Sequence, residues 1–314
     1  MVKNYSSGID FEATQRLNAG DLRFAYLVGL IEGDGWFSVT KNGEYIKYEF
    51  GIELDIRDVQ LLYKVKGILG VGIIDIRERN NQKMVSYRIR NKSHLKSVVL
   101  PIFDKYPMFS NKQYDYLMFK ELLLSDLKHS KSPAAEPPGY LTRARSARGA
   151  KDPGPSGARG YLTPKLSEII FGAKDLNKYI RPIQPLNTVE MILEKSYFKP
   201  WLIGFIEAEG CFSIYKPVKD DSKVASFEIS QTNGSILIEA IRTELSLTPK
   251  VSEDKTHNFK LKVSNVRAVE NVVKYMQNSP LKLMGHKKLQ YLLWLKELRT
   301  ISRYTKKFNI PNEY

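Results

Sequence analysis

The sequence predicts an α+β protein made of two pseudo-symmetric αββαββα halves in one chain, with one motif helix from each half packed at the centre. Three observations predict it. A nine-residue stretch, Leu27-Val28-Gly29-Leu30-Ile31-Glu32-Gly33-Asp34-Gly35, returns 175 residues later as Leu202-Ile203-Gly204-Phe205-Ile206-Glu207-Ala208-Glu209-Gly210. Behind each copy the apolar periodicity runs through the same order of elements. The strand-like stretches place basic residues two apart with apolar residues between them, the pattern of antiparallel sheets with one buried and one open face.

Each motif copy is an apolar run with small residues four apart: Gly29 and Gly33, then Gly204 and Ala208. Positions four apart share a helix face, and a face of small residues lets a partner helix approach closely. Each copy ends in an acid followed by glycine, Asp34-Gly35 and Glu209-Gly210, and glycine is a common stop just past a helix. Two such helices, packed side by side and pointing the same way, bring both carboxylates to one place. The negative ends of the helix dipoles add to them there. A hard divalent cation held by oxygens suits such a spot, Mg²⁺ above all with Mn²⁺ as a substitute. One copy alone reads as an amphipathic helix with a capping acid. The matched pair, with its matched tails Trp36-Phe37-Ser38 and Cys211-Phe212-Ser213, favours catalysis.

In the first half the motif helix is followed by β-rich runs on either side of Asn42-Gly43, a strong hairpin signal. Helical periodicity over Asp58–Leu69 is closed by Gly70 and Gly72. Val71–Glu78 and Met84–Arg90 form a second hairpin across Asn80-Asn81, and Ser93–Asp104 and Asn111–Leu127 read as helices. The second half repeats the order. The motif helix Trp201–Gly210 leads to strands Cys211–Tyr215 and Ala225–Gln231 around a charged loop at Lys219–Lys223, then a helix over Ile236–Leu245. A hairpin over Lys250–Asp254 and Asn258–Val263 and helices over Val266–Gln277 and His286–Ile301 complete it. Between the halves, Ser130–Tyr161 holds five prolines and few large apolar side chains, with six basic against two acidic residues. Such a composition offers too little apolar surface to offset the entropy of ordering it. The expected division is an N-terminal extension at 1–21, a first domain at 22–129, a linker with its insertion at 130–195 and a second domain at 196–314.

With 49 Lys+Arg against 34 Asp+Glu, the net charge of +15 suits a polyanionic partner. No apolar run approaches the 18 or more residues of a membrane-spanning helix, so no membrane role is expected. The single cysteine, Cys211, rules out an intramolecular disulfide framework. Arg77 and Arg79, Arg88 and Arg90, and Lys260 and Lys262 each share a strand face. Ile74, Ile76, Val85, Tyr87, Ile89, Phe259, Leu261 and Val263 fall on the opposite one. A merely solubilising face would mix signs. Two sheets of this kind related by a twofold predict a basic saddle over adjacent duplex turns, with base edges read in the major groove.

The doubled motif resembles the LAGLIDADG motif of homing endonucleases, in the monomeric form that carries two copies. The resemblance covers nearly all of the chain outside 1–21 and the insertion. Through Tyr26–Leu30, Lys105–Leu117 and Trp201–Phe212 it extends to the fungal mitochondrial endonuclease/maturases encoded in a cytochrome b intron. It implies site-specific cutting of both strands of a DNA target with 3′ overhangs, intron mobility, and an organelle-encoded mitochondrial product. Asp34 and Glu209 would be catalytic and would bind metal, with the backbone carbonyls of Gly33 and Ala208 as further ligands. Lys112 and Lys287 fall on positions of active-site lysines, and Gln231 on that of an active-site glutamine. Counted from Phe50 and Phe227, the first-half partner of Gln231 is Leu54. The resemblance also implies a second partner, the host group I intron RNA. The rival reading is therefore an RNA-binding maturase that assists splicing, with or without cutting, and a third is a DNA-binding regulator on the same scaffold. Retention of both acids favours the nuclease.

Overall fold

The computed structural model describes residues 17–42, 45–79, 81–129, 186–217 and 223–314. The first half runs through α1 (Ala19–Asp34), β1 (Gly35–Asn42), β2 (Tyr45–Asp55), a single turn at Ile56–Asp58, α2 (Val59–Leu69), β3 (Ile73–Arg79) and β4 (Gln82–Ile89). It continues through α3 (Lys92–His94) and a widened turn at Leu95–Val99 into α4 (Leu100–Lys105), and ends in α5 (Lys112–His129). The second half opens with α6 (Val189–Leu193), then α7 (Phe198–Glu209), β5 (Cys211–Tyr215), β6 (Val224–Thr232) and α8 (Ser235–Glu244). It closes with β7 (Ser252–Glu253), β8 (Asn258–Val263), α9 (Val266–Asn278), α10 (His286–Leu298) and α11 (Ser302–Thr305). Each half holds a four-stranded antiparallel sheet, ordered β1-β2-β4-β3 and β5-β6-β8-β7. The α+β reading and the doubled order of elements therefore hold.

The registers match as well. Phe37 stands opposite Phe50 and Phe212 opposite Phe227. Beneath each sheet these pairs meet aromatic residues of the last long helix: Tyr116 and Phe119 in the first half, Tyr291 and Trp294 in the second. Burying one such ring contributes roughly 1.5–3 kcal/mol. The two hydrophobic layers join through α1 and α7, whose apolar residues over 25–31 and 198–206 are inaccessible to solvent.

Several boundaries differ from expectation for local reasons. α1 begins at Ala19, ahead of residue 22, because Asn18 and Asp21 form a reciprocal capping box and Asp21 also accepts from Lys105 Nζ at 2.6 Å and from the Tyr106 hydroxyl. The helix expected over Ser93–Asp104 widens at Leu95–Val99, just before Pro101, which has no N–H to donate back to the preceding turn. Gly35 and Gly210 do end the motif helices, but in extended rather than left-handed backbone. Their role is lack of bulk: a Cβ would stand 2.8 Å from the Ile31 carbonyl oxygen in one case and 2.7 Å from that of Ile206 in the other. Gly70 is the left-handed stop that the sequence suggested for α2, at φ 70°. The Gly43 turn, Asn80, the insertion and most of the Lys219–Lys223 loop lie outside the described residues.

Candidate active site between the motif helices

α1 and α7 interlock through their small residues. A Cβ on Gly29 would lie 2.0 Å from the Trp201 carbonyl oxygen, and one on Gly204 would lie 1.9 Å from that of Tyr26. A Cβ on Gly33 would meet the Ala208 Cβ at 2.3 Å. No methyl group has room at these three positions, so the helix backbones cross in direct contact and the C-terminal ends arrive together. The same glycine reports the convergence of the acids: the Gly33 Cβ position is 3.5 Å from Glu209 Oε1, one residue from Asp34.

Asp34 is exposed and Glu209 half-buried, yet both carboxyls are held above their ordinary range. Loss of hydration among the helix ends is the main cause for each, and the charge of Asp34 further raises Glu209. Lys112 and Lys287 both pull the two acids back down. The structure thus gathers four of the five expected catalytic residues into one electrostatic cluster. Gln231 sits at the end of β6 on the core-side parity of Phe227 and Ile229, opposite Phe259, and packs on Gly234. Its register partner in the first half is Leu54, which lines a cavity of about 140 Å³ together with Asp34 and Lys287.

The two lysines are not equivalent. Lys112 is buried, and its ammonium donates to the carbonyls of Ile31 at 3.1 Å, Gly33 at 2.8 Å and Gly35 at 2.8 Å. It therefore closes the negative end of α1. The Gly33 carbonyl, expected to be offered to a metal, is shared with this ammonium. Lys287 occupies the first turn of α10, half-buried, and makes no such carbonyl contacts among the described residues.

Two residues that the sequence reading passed over hold the site in place. Glu32 and Glu207, at the sixth position of each motif, are buried carboxylates whose charged forms are disfavoured by burial. Glu32 accepts from Trp201 Nε1 at 2.8 Å and from the Ser110 amide. Glu207 accepts from the Tyr26 hydroxyl at 2.8 Å and from the Met284 amide at 2.6 Å. Each acid thus ties its own helix to the opposite motif helix and to the turn that precedes its half's lysine. Their identity in both copies was the signal available in the sequence.

On the sheet faces, most of the bases expected to form the saddle already have acid partners. Arg77 pairs with Asp75 at 2.7 Å, Arg90 with Glu49, and Lys260 and Lys262 both with Glu228 at 3.0 and 3.2 Å. Arg88 is buried, bonded to Asp75 and Ser86, and so braces the sheet instead of reaching outward. Ile76 is exposed, so the apolar face extends past its helices. The acids occur at the same two-residue spacing as the bases, which counting basic residues alone conceals. Arg79 ends β3, and its side chain lies outside the described residues.

Comparison with known proteins agrees with the geometry. The family model described as LAGLIDADG endonuclease matches residues 27–123 and 202–298. The probable intron-encoded endonuclease Cox1-I1b of Schizosaccharomyces pombe is 30% identical over 287 residues, 87% of this chain and 63% of that protein. An uncharacterized mitochondrial protein of Saccharomyces cerevisiae, RF1, is 24% identical over 214 residues, 68% of this chain and 36% of its own length. The chain therefore spans less than two thirds of either relative. I-SmaMI, bound to an uncleaved DNA target in the presence of calcium ions, shares the fold with a TM-score of 0.64 at 21% identity, covering 93% of both chains.

Proposed function

We propose, for a chain that belongs to the LAGLIDADG endonuclease family, the activity of a monomeric homing endonuclease that hydrolyses one phosphodiester bond in each strand of a duplex target and leaves 3′ overhangs. The observation that carries this reading is the convergence of Asp34 and Glu209 at the ends of two interlocked helices, within the field of Lys112 and Lys287. Both acids come from one chain, so one copy supplies the whole site.

Nucleases of this family use divalent metal ions. The donor set here fits one: two crowded carboxylates, one raising the other, with helix-end carbonyls beside them. Asp34, Glu209 and the carbonyl of Ala208 would hold it, with that of Gly33 shared with Lys112; Mg²⁺ is the proposed ion, replaceable by Mn²⁺. A bound divalent ion supplies Lewis acidity at the scissile phosphate. In each hydrolysis a water oxygen bonds to phosphorus, the bond to the leaving sugar oxygen breaks, the water gives up a proton and the leaving oxygen takes one. Lys287 stabilises the negative charge that builds on one phosphate, and Gln231, at the end of β6, is proposed to orient groups at the site from its own sheet. Lys112 does so at the other while holding the end of α1. Arg77, Arg90, Lys260 and Lys262 exchange their acid partners for phosphates on the target, and Arg79 is proposed to join them there. Exposed ion pairs are worth only about 0–1 kcal/mol, which keeps that exchange cheap.

The proposed setting is an organelle-encoded mitochondrial intron product, supported by the kinds of relatives it matches. A cytochrome b intron is the host suggested by sequence resemblance, and a cox1 intron the one suggested by the Schizosaccharomyces pombe relative. The deciding experiment is linearisation of plasmids carrying either fused exon junction, with Mg²⁺ and with chelator. Cutting of one junction only with Mg²⁺, and by neither Asp34→Asn nor Glu209→Gln, supports the reading. Metal-independent cutting, or none while intron RNA is bound tightly, refutes it.

A further inference from the structure

The two lysine-bearing helices are capped in different ways. At the start of α5 the Lys112 amide donates to Ser110 Oγ at 3.3 Å, a local contact. By the repeat, Lys112 corresponds to Lys287 and Ser110 to Gly285, which has no side chain to offer at the head of α10. Asp58, from the opposite half, instead takes the first amide of that helix: its Oδ1 accepts from the His286 amide at 2.6 Å. The approach depends on the glycine, since a Cβ there would stand 2.4 Å from Asp58 Oδ1 and 2.8 Å from a Leu61 methyl carbon. Lys64 Nζ donates to the Met284 carbonyl at 2.7 Å, and the Arg57 guanidinium lies 3.4 Å from His286 Nε2. Among the described residues, no side chain of α8 returns such a contact. This helix, the counterpart of α2, has Gly234 at the N-cap position that Asp58 holds in α2.

We infer that Asp58 is a positioning residue that holds the first turn of α10 through the His286 amide, and so sets Lys287 at its phosphate, while Lys112 is set without it. This rests on the assignment of Lys287 to the chemistry of one strand. Asp58 and Lys287 line the same cavity as Asp34, so a small rotation of that turn moves the ammonium relative to the acids. The consequence is a site whose two strands depend on different supports.

The test is cleavage of a duplex with each strand labelled separately, in the full chain. Asp58→Ala slows the strand that Lys287→Met slows by about 10-fold or more, as expected for a displaced reacting group, and leaves the other strand within about twofold. Asp58→Asn keeps the acceptor oxygen, loses the charge and falls between. Amide hydrogen exchange at His286 accelerates in Asp58→Ala and stays slower in Asp58→Asn. Unchanged exchange at His286 in Asp58→Ala, or an unaltered ratio of strand rates, overturns the inference. Equal slowing of both strands by Lys287→Met overturns the lysine assignment instead, and the exchange result still decides the role of Asp58.

Discussion

At the scale of single residues, the site is a set of carboxylates kept in surroundings that disfavour their charge. Asp34 and Glu209 are both raised, so in the metal-free protein their charged forms are worse off folded than unfolded. The sign follows: their contribution to stability falls as pH rises from the ordinary carboxylate value towards the raised one. Asp34→Asn should therefore raise the melting temperature without metal at neutral pH while lowering cleavage by about 100-fold or more, on the scale of deleting one charge-stabilising group. Calorimetry with chelator and a cleavage assay check the two halves of this statement, and target binding should change little. The buried pair behaves differently. Both oxygens of Glu32 accept hydrogen bonds, whereas those of Tyr26 and Met284 both fall on Glu207 Oε2, and Oε1 has no well-formed partner among the described residues. Glu32→Gln leaves a buried donor unmatched and should cost about 1–3 kcal/mol in urea unfolding. Glu207→Gln should cost less, and should flatten the loss of stability with rising pH, because the raised carboxyl that causes it is gone.

At the scale of elements, the motif helices were legible because three independent patterns agree in them: apolar runs, small residues four apart and terminal acids. The strand order followed from hairpin signals and the matched Phe37–Phe50 and Phe212–Phe227 pairs. What stayed hidden was which side chains pair within each half. No local pattern shows that Lys112 folds back on the carbonyls of Ile31, Gly33 and Gly35, or that Asp75, Glu49 and Glu228 absorb the basic stripe. The helix contact itself makes a sharp prediction. Gly204→Ala pushes a methyl group into the Tyr26 carbonyl and should cost about 3 kcal/mol or more. Gly67→Ala, in α2 with nothing near it, should stabilise by roughly 0.5–1 kcal/mol. Chemical denaturation of the two variants separates packing from propensity. The lysines divide similarly: Lys287→Met should give a nicking enzyme of near-normal stability, whereas Lys112→Met should bias the opposite nick and also lower the melting temperature, since three carbonyls at the end of α1 lose their donor.

At the scale of the whole molecule, a net charge of +15 is spread over sheet faces where many bases already have acid partners. Target affinity should still fall steeply with salt, and Lys262→Ala should reduce the slope of log affinity against log salt by about 1. Arg88→Ala, which removes an internal brace, should lower stability and leave the slope unchanged; titrations at several salt concentrations distinguish the two. The cross-braces at the centre have a further consequence. Tyr26 reaches Glu207 and Trp201 reaches Glu32, so equivalent places in the two halves hold side chains of different size. Two copies of the first half alone would set tyrosine where the indole now fills the space beside Glu32. Two copies of the second would force an indole into the slot of a phenol. Each half is thus made orthogonal to itself and complementary to its neighbour, a lock that its own other half closes, and exchange of halves between relatives should succeed only when the residue at 26 still suits that at 207 and the residue at 201 that at 32.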